Sequence, residues 1–119
     1  MRGVTRLVGA VLLCLWMFGC SKEQDAAPVP EHPGKSIYLK SCFSCHASGS
    51  AGAPRTGDVE AWGPRAEKGA EALLAATIEG IPPAMPAKGL CIDCTNEQLA
   101  QAIDYMIQES QPEPEAPAE

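Results

Sequence analysis

Five consecutive residues, Cys42-Phe43-Ser44-Cys45-His46, carry the most specific chemistry in the chain. Two thiols three residues apart at a helix end can each add to a vinyl group of one haem, and the adjacent imidazole is then placed to ligate its iron. A low-spin electron carrier wants a second axial ligand, and His/Met ligation raises the potential. Of the four methionines, Met1 and Met17 lie in an amino-terminal segment, and Met106 falls on an apolar helical stripe where core packing explains it. Met85 remains. It lies 39 residues after His46 in Ile81-Pro82-Pro83-Ala84-Met85-Pro86-Ala87-Lys88-Gly89, where three prolines bar a regular helix and stiffen the loop. A pre-set loop can hold a thioether at iron with little loss of entropy.

The elements that must position these groups follow from patterning. A first helix is expected over residues 34–41, with Pro33 near its start, where a missing amide hydrogen costs nothing. Residues 70–79 place Leu73 and Leu74 four residues before Thr77 and Ile78, and Gly80 stops the helix. Thr95-Asn96-Glu97-Gln98 fits a capping box, after which Leu99, Ile103, Met106 and Ile107 share one face. No period-two pattern suggests a strand. The fold class is all-α, three to five helices with long Gly/Pro loops, built around one covalently bound haem. The folded segment has only four aromatic residues, Tyr38, Phe43, Trp62 and Tyr105. A domain this small usually recruits a staple or cofactor to complete its centre.

The 119 residues divide into four stretches. Residues 1–19, with Arg2 and Arg6 before an apolar run of 12 residues from Leu7 to Phe18, read as a signal peptide, too short to span a membrane of ~30 Å. The sequence Met17-Phe18-Gly19-Cys20 resembles a lipobox, so Cys20 is expected to be lipidated and to anchor the mature protein to a bacterial envelope membrane. Residues 20–33 form a Pro-rich spacer in which His32 is expected to be solvated, residues 34–110 the folded domain, and residues 111–119 an acidic disordered tail. Losing Arg2 and Arg6 takes the formal charge from −6 to −8, which argues against nucleic acid as a partner. Lys40, Arg55 and Lys88 flank the haem and Met motifs and are expected to form a basic rim.

Taken together, a helix ending in C-x-x-C-H, a Met-Pro loop and a packed carboxyl-terminal helix resemble the small class I c-type cytochromes. Ala53-Pro54, Ala61-Trp62-Gly63-Pro64-Arg65, Met85-Pro86-Ala87-Lys88-Gly89 and Cys91-Ile92-Asp93-Cys94 resemble the bacterial cytochrome c5 group. The resemblance implies that the Pro54 carbonyl orients His46, that Trp62 directs its indole N–H at a haem propionate, and that Arg65 pairs with one. It also implies a Cys91–Cys94 disulfide, consistent with an oxidising compartment once two thiols serve haem and one serves lipid.

The implied function is an exported one-electron carrier of the bacterial periplasm that shuttles between redox proteins of the envelope, not an enzyme. Two other readings stay open. A haem enzyme or sensor would leave the sixth iron position free. A structural module would hold zinc between the Cys42/Cys45 and Cys91/Cys94 pairs, although their separation exceeds that of a compact zinc ribbon.

Overall fold

The structure is a computed structural model that describes residues 30–112. The signal segment, Cys20, most of the spacer and the end of the acidic tail lie outside the described residues. Within them the chain forms four longer helices, short 3-10 turns at Ser50–Gly52 and Ala87–Leu90, and no strand, only an isolated bridge between Ile81 and Met85. No helix among the described residues is long and apolar enough to cross a membrane.

The first helix, α1, covers residues 35–46 and is longer than its pattern suggested. It runs as Lys35–Ile37, a π-helical stretch Tyr38–Cys42, and Phe43–His46. The widened turn, of a kind found often at functional sites, leads directly into the two-thiol motif. α2, Val59–Ala66, was not expected at all, because Gly63-Pro64 reads as a helix breaker. Asp58 caps it by accepting the Ala61 N–H at 3.0 Å, and the helix tolerates Pro64 near its end. α3, Ala70–Glu79, ends at Gly80 as expected. Gly80 has φ +79°, and a Cβ there would meet the Ala87 nitrogen at 2.7 Å, so the chain can turn back toward the Met85 loop only through glycine.

α4, Asn96–Gln108, begins at the expected capping box: the Thr95 hydroxyl accepts the Gln98 N–H, and the Gln98 side chain accepts the Thr95 N–H. Its buried face is Leu99, Ala102, Ile103 and Met106. α1 meets α4 at Gly34, whose missing side chain admits the Gln101 carbonyl. Tyr38, Trp62, Ile103 and Met106 form one apolar cluster. Cys91, Cys94 and Leu99 form a second, and Leu74 packs against both. Ser110 closes the domain, accepting the Gly57 N–H at 2.9 Å and donating to the Met106 carbonyl at 2.6 Å.

One expectation about the spacer is overturned. His32 is docked against α4 rather than solvated: its Nδ1 accepts the Gly34 N–H at 3.0 Å, and its Nε2 lies 3.0 Å from the Asp104 carboxylate. The ring also lies 5.5 Å from that of Tyr105, so a polar pair and an aromatic face hold it together. Sequence composition alone cannot register such a long-range contact.

Candidate functional site

His46 ends α1 and is 92% buried, with 8% of its surface exposed. The chain reverses behind it through Gly49, whose N–H donates to the Cys45 carbonyl at 2.8 Å. The returning segment then grips the histidine twice. The His46 carbonyl accepts the Thr56 N–H at 2.7 Å, and the Pro54 carbonyl accepts the His46 Nδ1–H at 2.8 Å. A carbonyl can only accept, so the proton sits on Nδ1 and the Nε2 lone pair is left free to bind a metal. Trp62 supports the ring from 5.9 Å away.

The Cys42 and Cys45 thiols are unpaired and half-buried on the same helix. Burial pushes the Cys42 thiol up from its ordinary value, and the neighbouring Cys45 adds to the shift, so the polypeptide holds Cys42 as a thiol at neutral pH. Cys42 packs on the Tyr38 and Met106 cluster, whereas Cys45 lines a cavity of about 260 Å³.

That cavity lies between α1 and its following turn, α2, α3, the Met85 loop and α4. His46 and Met85 both line it, with apolar walls from Leu73, Ala76, Ile103 and Met106. Met85 is held by its backbone: Ile81 and Met85 exchange two hydrogen bonds of 2.8 and 2.9 Å around Pro82, Pro83 and Ala84. Met106, also on the wall, belongs to the core cluster as its helical stripe suggested. An imidazole nitrogen, a thioether and the Cys45 thiol on one apolar cavity, with the Cys42 thiol one turn earlier on the same helix, fit a covalently attached haem in donor set and in wall chemistry.

The bridge between Cys91 and Cys94 is present, with Cα atoms 5.3 Å apart. It is packed among Leu99, Ile37, Leu74 and Ile78. Those thiols are therefore not zinc ligands, and no cluster of three or more His, Cys, Asp or Glu residues suited to a metal occurs among the described residues.

The Trp62 indole N–H donates to the Arg55 carbonyl at 2.9 Å, which the turn that grips His46 carries across the indole. The Lys88 ammonium donates to the Cys94 carbonyl at 3.2 Å and the Ile92 carbonyl at 3.4 Å, neutral acceptors that fix its place and leave its charge. Arg65 does line the cavity, with one guanidinium N–H on the Ala61 carbonyl at 2.6 Å. Lys68 lines it too and was missed, although its position three residues after Arg65 was a readable signal.

Residues 30–106 match a family model described as cytochrome c oxidase, cbb3-type, subunit III. The chain is 39% identical over 107 residues to cytochrome c-555 of Chlorobaculum tepidum, covering 87% of this chain and 92% of that one. It is 46% identical over 72 residues to cytochrome c5 of Ectopseudomonas mendocina, covering 59% of this chain and 82% of that one. Among solved structures it is similar, at TM-score 0.64 and 38% identity, to a chain from a crystal structure of an electron transfer complex of nitrite reductase with cytochrome c. That similarity covers 68% of this chain and 98% of the other.

Proposed function

The chain belongs to the small c-type cytochromes, electron carriers with a covalently bound haem c, and from that premise we propose that Cys42 and Cys45 would attach the haem and that His46 and Met85 would ligate its iron. The observation that carries this reading is the shared cavity: His46, with its Nδ1 proton committed to Pro54, and Met85, on a loop pinned by two backbone hydrogen bonds, line the same apolar space.

Bound haem supplies an iron that takes up and gives up one electron. The protein does the rest. Cys42 and Cys45 make the attachment permanent, and the Pro54 carbonyl makes the His46 imidazole a stronger donor by holding its far proton. The stiff loop, pinned by the Ile81–Met85 backbone hydrogen bonds, would hold the Met85 sulfur in one place. Leu73, Ile103 and Met106 keep water from the centre, which together with ligand identity sets the potential.

The working site in this reading is the bacterial periplasm. Residues 1–19 direct export, and Cys20 carries a lipid anchor that holds the domain near a membrane and its redox partners. The visible spectrum and intact mass of the mature protein test both parts together. A ferric spectrum with a sulfur-to-iron charge-transfer band and a mass containing one haem support the ligand assignment, and the remaining mass reports the acyl chains. A coloured protein lacking that band would favour the reading with an open sixth position.

A further inference from the structure

The cavity distributes charge unevenly. Among the described residues, its charged lining groups are Arg65 of α2 and Lys68 just beyond that helix. α3, the Met85 loop and α4 contribute none, and the neighbouring carboxylates of Glu67 and Glu71 are exposed and do not line it. The Lys68 N–H donates to the Arg65 carbonyl at 3.1 Å, a single turn that carries both cations to the same wall. The indole N–H of Trp62 is already used by Arg55.

A haem brings two carboxylates with it, and a carboxylate beside apolar walls needs a cation or donors to offset its lost hydration. Resting on the haem reading above, we propose that Lys68 binds a haem propionate through its ammonium, with Arg65 beside it, and so keeps that carboxylate ionised through the neutral pH range. Lys68 is a positioning residue for the cofactor's charge. It takes no part in ligating iron.

The test uses the full haem-loaded chain and measures midpoint potential against pH in the wild type, Lys68→Gln, Lys68→Arg and Lys40→Gln. Lys40 is exposed on α1 and does not line the cavity, so it controls for loss of any one positive charge. Removing a cation from the propionate favours ferric iron, so Lys68→Gln should lower the potential at pH 7. It should also move the acidic edge of the pH dependence upward by about one pH unit, as expected when a carboxylate loses a close cation. Lys68→Arg should restore the wild-type profile and Lys40→Gln should keep it. A wild-type pH profile in Lys68→Gln, or the same displacement in Lys40→Gln, overturns the assignment. Colourless wild-type protein would instead overturn the haem reading, and this proposal with it.

Discussion

The His46 Nδ1–H donates to the Pro54 carbonyl across 2.8 Å, and this one bond settles which ring nitrogen faces the cavity. Pro54→Gly loosens the acceptor by freeing its backbone. The expected outcome is a higher midpoint potential, since a less basic imidazole stabilises ferric iron less, together with a loss of His46 retention of about 10 to 100-fold. Competition by added imidazole, followed in the visible spectrum, measures it.

Met85 and Met106 line the same cavity from different supports, and substitution separates them. Met85→Ala should abolish the sulfur-to-iron band, admit external ligands and lower the potential on the order of a few tenths of a volt, within the ~0.8 V that axial ligands span. Met106→Ala should keep the band and cost about 2 to 5 kcal/mol of stability, because it empties part of the core. If the two variants exchanged these behaviours, the ligand assignment would move to α4.

Gly34→Ala places a methyl group against the Gln101 carbonyl at the α1–α4 crossing. Backbone cannot give way as a side-chain end can, so a destabilisation of about 3 kcal/mol or more is expected in denaturant unfolding.

Cys91→Ser together with Cys94→Ser removes a bridge that closes a very short loop. Chain entropy alone predicts a loss of about 1.9 kcal/mol. The bridge is also part of the Leu99 cluster, so the measured loss should exceed that figure and the Met85 band should weaken on mild heating.

Tyr105 gives an alkaline signature. Partial burial pushes its phenol above the usual value near 10, the Glu109 carboxylate adds to the shift, and Lys35 opposes it. A folded-state value above the unfolded one means that the associated stability is present below about pH 10 and is lost as pH rises through the folded value. Unfolding midpoints measured from pH 8 to 12 should fall more steeply in the wild type than in Tyr105→Phe.

Much of this arrangement was legible in the residues because it is local. The attachment motif, the Thr95–Gln98 capping box and the stripe through Leu99, Ile103 and Met106 are each written within a turn or two of helix. The relation between His46 and Pro54 was reachable only through resemblance, since nothing in the seven intervening residues states that the chain doubles back. α2 was missed because a proline late in a helix looks in sequence like a proline that ends one. His32 was misplaced because its partner Asp104, 72 residues away, is supplied by folding.

The glycine seat at the α1–α4 crossing also orders events during biogenesis. Since the first helix packs its glycine seat against the last one, a chain threading out amino end first exposes its two thiols well before the carboxyl-terminal segment arrives to shut the fold around them. Attachment chemistry therefore has an interval of open access, and final closure of the domain waits on the arrival of its last helix.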